Sequence, residues 1–368
     1  MTSKKILILS SCFYPNISPR SFRTTELAKE LAKQGHDVTV YIRKEDYNYE
    51  QISTTHGVTI KDYGKFYLKK IQIKGVGVEL WLRRAINRIL LQFIEYPDIE
   101  YMFKVIKILK NETIYDLLIS IAVPHPIHWG VALLRERISR ITSIWIADCG
   151  DPYMLCETSN FKKLPYFGII EKYFCSKTDF ITVPTISSVA GYYSKYKSKI
   201  RVIPQGFCFD DISLYKDDLI NVVPTFAYAG SFIPKKRDPQ KFIEYLYSLN
   251  RDFHFIIYSN QHQMLSQYID KFSNKIELKE FIERKELLYE LSKMDFLVNF
   301  KNNTDIQTPS KIIDYSLTGR PILSVSDEGL ETIIINEFLD GNYEHSFCID
   351  NIKKYNIKNF AKDFLELC

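Results

Sequence analysis

The sequence lacks the features of a membrane-spanning, secreted or nucleic-acid-binding protein. No apolar run reaches the roughly 18 residues that cross a bilayer, and the run from Ile6 to Leu9 is too short for a signal-peptide core. The 7 cysteines form no Cys-x-x-Cys pair and no zinc-type spacing with histidine, which predicts reduced thiols in a cytoplasmic protein. The net charge of +5 is too small for obligate nucleic-acid binding, but it is compatible with an anionic ligand or an anionic membrane surface.

Several catalytic motifs are also missing. Neither the P-loop pattern G-x-x-x-x-G-K-[ST] nor the dinucleotide pattern G-x-G-x-x-G occurs, which argues against a P-loop kinase and a nicotinamide-dependent dehydrogenase. The hydrolase patterns G-x-S-x-G and H-E-x-x-H are absent as well. No Asp-x-Asp triplet is present, so the sequence offers no obvious ligand for a metal-bridged diphosphate.

The residues that are present predict two α/β domains. The length of 368 residues is ample for two cores, and apolar runs alternate with helical patterns. In the first half, strands are predicted at 6–9, 37–42, 117–121, 144–147 and 180–183, with a helix around Leu27 to Ala32 that stops at Gly35. The second half has strands at 226–228, 253–258, 296–300 and 322–325, and helices at 239–249, 262–271, 285–293 and 309–317.

These patterns predict two Rossmann-like, doubly wound domains that face a cleft, with ligands beyond the carboxyl ends of the strands. The predicted boundaries are 1–195 for the N-terminal Rossmann-like domain and 196–350 for the C-terminal Rossmann-like domain. Residues 351–368 are predicted as a C-terminal helix that crosses back toward the first domain.

The stretch from Gly75 to Tyr96 departs from this alternation. Apolar residues recur there at helical spacing, and Arg83, Arg84 and Arg88 add positive charge. The pattern predicts a basic amphipathic helix, and two interpretations are open: packing against the N-terminal domain, or peripheral contact of residues 77–94 with an anionic lipid surface.

Two helix starts in the second half carry cations where the helix dipole favours anions. Lys311 falls in the first turn of a helix that Thr308 and Pro309 introduce, and Lys235, Lys236 and Arg237 directly precede another helix start. A phosphate would accept hydrogen bonds from the backbone N–H groups and from these cations. We therefore predict a diphosphate site. The alternatives are a surface Lys311–Asp314 pair and a solvated run of charges.

Together these residues resemble a glycosyltransferase of the GT-B fold, family 4. The resemblance depends on the order and spacing of segments between residues 4 and about 326: Phe13-Tyr14-Pro15-Asn16-Ile17, Arg23-Thr24-Thr25-Glu26, Gly35-His36-Asp37, Trp145-Ile146-Ala147-Asp148, Val202-Ile203-Pro204-Gln205-Gly206, Pro309-Ser310-Lys311 and Asp314-Tyr315. The Pro-Ser-Lys variant is typical of bacterial enzymes that build capsule, O-antigen or other surface polysaccharides.

The resemblance implies a set of donor contacts. Lys236 matches the lysine that contacts the donor diphosphate, and Asp314 matches the acidic residue that binds the nucleotide ribose. The other expected donor contacts are Ser18, Arg23, Arg237, Gln307, Thr308, Ser310 and Lys311. The family's first acidic position is Ile306 here, and its glycine-rich loop is replaced by Ser18-Pro19-Arg20-Ser21, so an arginine side chain is expected to reach the phosphate instead.

The catalytic residues are predicted in the first domain. The family's histidine has no aligned match here, but His125 and His128 lie in the loop after the fourth strand. His125 is preferred for an active-site role because it is nearer the end of the strand, and a structural role is the alternative for both. Asp148 and Asp151 follow the next strand and are expected to face the cleft, where one of them would position the acceptor hydroxyl or act as its base. The alternative for Asp151 is to cap the turn before Pro152.

The resemblance implies transfer of a sugar from a nucleotide-diphosphate donor to an acceptor hydroxyl, with retention of configuration, without a metal and without a bound cofactor. The expected partners are the nucleotide sugar, a glycan or lipid-linked acceptor and an anionic membrane surface, with no nucleic acid. The expected location is the cytoplasm, with peripheral contact at the inner face of the plasma membrane. Two alternatives stay open: a nucleotide-sugar epimerase of the same fold, and a catalytically silent subunit that binds a glycan or a partner protein.

Overall fold

The chain folds into two compact units. The computed structural model describes residues 2–16, 18–74, 76–138, 142–150, 152–155, 163–210, 212–216, 221–233, 237–261, 265, 274–301, 310–326 and 329–368. Unit 1 consists of Met1–Phe207 and Lys354–Cys368, and unit 2 of Cys208–Lys353. The division therefore falls at Phe207, later than the predicted residue 195. The difference arises because the strand Ile200–Val202 pairs with the sheet of unit 1.

The sheet of unit 1 is parallel throughout its described strands. They run in the spatial order β3-β2-β1-β4-β5-β6-β7. Their bounds are β1 Lys5–Leu9, β2 Asp37–Ile42, β3 Val58–Asp62, β4 Leu117–Ile121, β5 Ile144–Asp148, β6 Phe180–Val183 and β7 Ile200–Val202. The chain order reverses between β1 and β4, and such a switch point is where ligands bind in open α/β sheets.

Helices of unit 1 connect these strands. Their bounds are α1 Pro19–Lys33, α2 Tyr49–His56, α3 Gly77–Ile94, α4 Glu100–Leu109, α5 Pro126–Leu133, α6 Arg135–Ile138 and α7 Pro165–Lys177, with 3₁₀ turns at Ser187–Gly191 and Ser194–Lys199. Ser18 caps α1, and its side chain accepts a hydrogen bond from the Ser21 N–H. Helix α3 confirms the predicted helical pattern, but none of its residues is buried. Burial therefore does not support the interpretation of α3 as a packing element.

Unit 2 repeats the plan with a smaller parallel sheet. Its described strands run in the order β10-β9-β8-β11-β12. The strands are β8 Thr225–Ala229, β9 His254–Tyr258, β10 Ile276–Lys279, β11 Phe296–Phe300 and β12 Ile322–Val325, and the helices are α8 Gln240–Ser248, α9 Arg284–Leu291, α10 Ser310–Thr318 and α11 Thr332–Leu339. The switch point lies between β8 and β11. The helix predicted at 262–271 lies outside the described residues except for Leu265.

The chain ends in unit 1. After a 3₁₀ turn at Ile352–Tyr355, helix α12 spans Ile357–Leu365 and packs against α1. Gly206 permits this packing, because a Cβ there would lie 2.7 Å from the Ile357 Cδ1 and 2.8 Å from the Phe360 Cγ. The predicted fold class, α/β with two Rossmann-like doubly wound domains, is confirmed by the two sheets.

Candidate functional site

Strand β8 ends at the switch point of unit 2, and a tyrosine from α10 fixes that end. The buried Tyr315 hydroxyl accepts a hydrogen bond from the Ala229 N–H at 2.7 Å and donates to the Ala229 carbonyl at 3.3 Å. The next residue, Gly230, has φ +149°, where a side chain would be strained. A Cβ there would lie 3.2 Å from the Tyr228 hydroxyl and 3.7 Å from Lys311 Nζ. Gly230 therefore keeps open the space in front of these two groups.

Two cations converge on the hydroxyl of Tyr228. Lys311 Nζ donates to it at 3.2 Å and lies 4.3 Å from the ring centroid, and the Arg237 guanidinium also hydrogen-bonds to it. The hydroxyl itself donates to the Ser231 carbonyl at 3.0 Å, which leaves its lone pairs to accept from the two cations. The ring of Tyr228 is buried, and burial raises the pKa of its hydroxyl to about 12. We call Tyr228, Arg237 and Lys311 the cation cluster.

The cation cluster has the electrostatics of an anion-binding site. Burial, together with repulsion from Arg237, lowers the pKa of Lys311 to about 7. Among the described residues, no carboxylate forms an ion pair with Lys311 or Arg237 to offset this repulsion. Lys311 also lies in the first turn of α10, where backbone N–H groups have no intrahelical partner. A phosphate at this position would satisfy the N–H groups and both cations.

Asp314 has a partner of its own, one turn further along α10. Its Oδ1 accepts from Arg284 Nη2 at 2.7 Å and from Nε at 2.9 Å, and Arg284 Nη1 donates to the Cys208 carbonyl at 3.3 Å. Burial raises the pKa of Asp314, while Arg284 opposes that rise. A Lys311–Asp314 pair is therefore not what the structure contains. The sequence alone does not indicate Arg284, because the contact joins two helices that are separate in sequence.

Some predicted site residues fall outside the described part of the chain. These are Asp151, Lys236, Gln307 and Thr308, and for Ser310 the structure describes only its place as the first residue of α10. Their roles stay predictions.

The predicted roles of Arg23 and Asp148 need correction. Arg23 is 1% exposed, and its Nε and Nη2 each donate to the Asp148 carboxylate at 2.6 Å. Asp148 is 0% exposed and accepts a further hydrogen bond from the Thr182 hydroxyl at 2.6 Å. Arg23 therefore does not present its guanidinium to a donor phosphate, and Asp148 does not face an acceptor. The two residues form a buried structural ion pair. Arg23 also donates hydrogen bonds to the carbonyls of Ile203 and Pro204.

The two histidines after β4 differ in their surroundings. His128 is 0% exposed, with Nδ1 2.7 Å from the Ser120 hydroxyl and Nε2 3.4 Å from Cys149 Sγ. Burial lowers the pKa of His128 to about 3, so the ring is neutral and structural. His125 immediately precedes α5, is 7% exposed and lies 4.7 Å from the ring of Tyr153. The structure thus assigns His128 a structural role. An active-site role for His125 stays a prediction.

A polar cavity opens at the switch point of unit 1. Its volume is about 530 Å³, and Ser11 and Asn16 after β1 and Pro124 after β4 contribute to its lining. Its charged lining residues are Arg43, Lys44, Glu45, Lys70 and Asp98. The sequence alone does not bring these charged residues together, because they come from separate loops. The cavity has the polarity and size of a site for a sugar or another hydrophilic group.

No described helix has both the length and the apolar composition that crossing a bilayer requires. Helix α3 is instead exposed along its length, with Val78, Trp81, Ile86, Ile89 and Phe93 each between 49% and 74% exposed. Arg83 pairs with Glu79 at 2.7 Å, while Arg84 and Arg88 line a surface groove.

Comparison with known proteins gives one family match and several structural matches. The model of Glycosyltransferase Family 4 matches residues 22–210, a range that lies almost wholly in unit 1 and ends before β8. No curated protein sequence matches the chain. The cation cluster is outside the matched range, so its interpretation depends on its geometry.

The structural matches have the same two-unit architecture. A glycosyltransferase from Rickettsia africae ESF-5 superposes with a TM-score of 0.62 at 13% identity, covering 100% of this chain and 98% of that one. The lipopolysaccharide outer core galactosyltransferase WaaB in its apo form gives 0.60 at 10% identity, covering 99% and 98%. The UDP-GlcNAc 2-epimerase from Neisseria meningitidis bound to UDP-GlcNAc gives 0.56 at 13% identity, covering 99% of both chains. At these identities the likeness establishes the fold, which is GT-B.

Proposed function

The chain belongs to glycosyltransferase family 4, and on that premise we propose that it transfers a sugar from a nucleotide-diphosphate sugar to an acceptor hydroxyl with retention of configuration. The observation that carries the proposal is the cation cluster, in which Lys311 and Arg237 share the Tyr228 hydroxyl without a carboxylate partner among the described residues. A diphosphate is the ligand that matches this charge at a helix start.

The chemistry places the main catalytic demand on the leaving group. As the bond between the sugar and the diphosphate breaks, negative charge develops on the phosphate oxygen and the sugar becomes oxocarbenium-like. Lys311 and Arg237 stabilise that negative charge from fixed positions, which is where preorganised electrostatics lower a barrier most. In the proposed reaction these side chains supply the positive charge that a divalent metal provides elsewhere, and no bound cofactor is needed.

Asp314 is proposed to bind the nucleotide ribose. Arg284 donates two hydrogen bonds to Oδ1 and thereby fixes the orientation of the carboxyl group. In the proposed complex, Oδ2 faces the ribose. A carboxylate held in this way can accept hydrogen bonds from the ribose hydroxyls. The other proposed donor contacts are Lys236, Gln307, Thr308 and Ser310. Ser18, which caps α1 at the switch point of unit 1, is also a proposed donor contact.

The proposed acceptor is a glycan or a lipid-linked glycan in the synthesis of a bacterial surface polysaccharide. Helix α3 supports a peripheral position on an anionic membrane, at its cytoplasmic face. Its exposed apolar residues and its arginines are the combination found in helices that lie in a lipid interface.

The experiment that tests the proposal has two stages. A panel of nucleotide sugars is first screened for thermal stabilisation, since a ligand at 100 times its Kd adds about 2.7 kcal/mol to the free energy of unfolding. The stabilising donor is then incubated with candidate acceptors, and nucleotide release is measured together with product. A transferase releases nucleotide in step with product, an epimerase interconverts the sugar without net release, and a silent subunit does neither.

A matched pair of lysine variants connects the activity to the cation cluster. Lys311→Ala is expected to lower kcat/KM by roughly 10²–10³, the usual effect of removing one preorganised donor to a developing oxyanion. Lys293→Ala is the control, because Lys293 pairs with Glu290 at 2.6 Å outside the cluster. Equal activity in the two variants would refute the diphosphate assignment.

A further inference from the structure

An apolar groove lies among four helices of unit 1. Its volume is about 540 Å³, and its described lining residues are all apolar or aromatic. Phe93 comes from α3, Met102 from α4, Trp129 and Leu133 from α5, and Ile169 from α7. Ile169 is 71% exposed and Leu133 is 51% exposed, so the groove opens to solvent. A concave, apolar groove of this volume is large enough to hold part of an apolar ligand.

The walls of the apolar groove are held by specific contacts. Helices α4 and α5 approach so closely that a Cβ on Gly130 would lie 2.7 Å from the Met102 carbonyl. The Tyr166 hydroxyl donates to the Phe93 carbonyl, and Lys163 pairs with Glu95 directly after α3. These two contacts tie the end of α3 to the start of α7. The groove is therefore a preformed site.

A second groove, which carries positive charge, lies along the same helix α3. Its volume is about 710 Å³; Trp81, Arg84 and Arg88 of α3 line it together with Lys163, and no Asp or Glu is among its described lining residues. The two grooves follow one another along α3, since Leu91 and Gln92 line the cationic groove and Phe93 and Ile94 line the apolar one. The contacts between α3 and α7 likewise place Lys163 in the cationic groove and Tyr166 in the apolar groove.

We propose that the two grooves together bind one lipid phosphate, with its hydrocarbon chain in the apolar groove and its phosphate at Arg84 and Arg88. Charge complementarity selects this occupant, because an apolar channel beside a cationic one matches an anionic amphiphile. A second copy of the chain is disfavoured, since an interface formed by the same patch on both copies would bring the cationic grooves together. The proposal rests on the proposed function, in which such a lipid carries the acceptor glycan.

The experiment measures lipid binding without donor, acceptor sugar or membrane. The probe is stearate brominated on its chain, because bromine quenches tryptophan fluorescence on contact, and Trp129 lines the apolar groove. The expected result is saturable quenching that Trp129→Phe removes and Trp81→Phe largely preserves. Farnesyl phosphate should then displace the probe at least tenfold more strongly than farnesol or inorganic phosphate, because each competitor lacks one half of the lipid phosphate.

Substitutions in each groove test the apolar groove and the cationic groove separately. Ile169→Glu should weaken probe binding at least tenfold, whereas Ile333→Glu, a substitution of an equally exposed isoleucine in unit 2, should leave it unchanged. Arg84→Glu together with Arg88→Glu should remove the preference for farnesyl phosphate over farnesol. Circular dichroism of each variant verifies that it folds.

Three outcomes would overturn the proposal. They are no quenching, equal quenching in the Ile169→Glu variant, and a concentration-dependent dimer that Ile169→Glu dissociates. Because the assay needs no sugar transfer, a protein that binds farnesyl phosphate but lacks transferase activity refutes the proposed function alone. A protein that transfers sugar to soluble acceptors but does not bind the lipid refutes only the lipid site.

Discussion

The ammonium of Lys311 lies 3.2 Å from the hydroxyl oxygen of Tyr228 and 4.3 Å from the centroid of its ring. A tyrosine face and hydroxyl offer a cation only partial compensation for lost water, and Arg237 adds repulsion. A bound anion would therefore stabilise the charged form of Lys311. Two predictions follow from this contact.

The first concerns the pH dependence of donor binding. Because the pKa of Lys311 is lowered to about 7 and a diphosphate favours the charged ammonium, binding above that pH takes up a proton. The affinity for a nucleoside diphosphate should therefore fall between about pH 7 and pH 9, by up to about tenfold per pH unit. Lys311→Arg keeps the charge and should remove this slope, as calorimetric titration would reveal. The same slope in both proteins would contradict the assignment.

The second concerns the stability of the protein without ligand. The unfolded chain binds more protons than the folded one between about pH 7 and the usual lysine pKa of 10.5, so the contribution of Lys311 to the free energy of unfolding rises with pH there. Below pH 7 Lys311 is charged in both the folded and the unfolded chain, so its burial lowers the free energy of unfolding by the full amount. Lys311→Met should therefore raise the Tm at pH 7 while it abolishes stabilisation by nucleotide. A lower Tm in this variant would show that the lysine is stabilising where it lies.

Asp314 and Arg284 provide a third test, which separates ligand binding from structure. If Asp314 binds the ribose, Asp314→Ala should weaken nucleotide binding more than Arg284→Ala does. The Asp314 variant should raise KM while kcat stays nearly unchanged. The reason is that a ribose contact is equal in the ground and transition states. Equal effects of the two single variants, with no further loss in the double variant, would identify a purely structural ion pair.

The Arg23–Asp148 pair allows a stability prediction for unit 1. Removing one partner leaves the other charge buried, which costs about 3–5 kcal/mol. Asp148→Asn and Arg23→Met should each destabilise unit 1 by this amount in urea denaturation. The double variant should recover part of the loss, because neither of the two fully buried charges remains. Thr182→Val, which removes one hydrogen bond to the same carboxylate, is the control and should cost about 1 kcal/mol.

Helix α3 gives a prediction about lipid surfaces. The protein should sediment with anionic vesicles at low salt and be released at high salt, since each arginine near such a surface contributes about 1 kcal/mol that salt screens. Arg84→Glu should reduce binding more than Arg83→Glu, because Arg83 is already paired with Glu79. Protein that stays in the supernatant at low salt would contradict a membrane role for α3.

The central strands are predictable from sequence, and the edge strands β3 and β10 are not. β1, β4 and β11 are buried on both faces and consist of apolar runs, which periodicity identifies directly. β3 and β10 lie at sheet edges and contain Lys61, Asp62, Glu277 and Lys279, so their patterns resemble loops.

The errors in the site have a different physical cause. Arg23 is predicted as a phosphate ligand because it follows the segment that replaces the family's glycine-rich loop, but its partner Asp148 is distant in sequence. Sequence periodicity identifies which residues share a face, and it does not identify which charges pair across a fold. The position of Lys311 at a helix start predicts an unfavourable interaction with the helix dipole. In the structure, burial and Arg237 are what lower the pKa of this lysine. Its placement against Tyr228 depends on β8 and α10 packing together.

The position of the last residues in the fold affects how the protein is made. Helix α12 covers the Arg23 guanidinium, which lies 4.7 Å from the ring centroid of Phe360, yet it is synthesised after all of unit 2. A ribosome therefore releases the complete sequence of unit 2 while unit 1 still lacks its final helix. Unit 2 is a continuous segment and can complete its core first, which reverses the usual order in which the N-terminal domain folds before the next one.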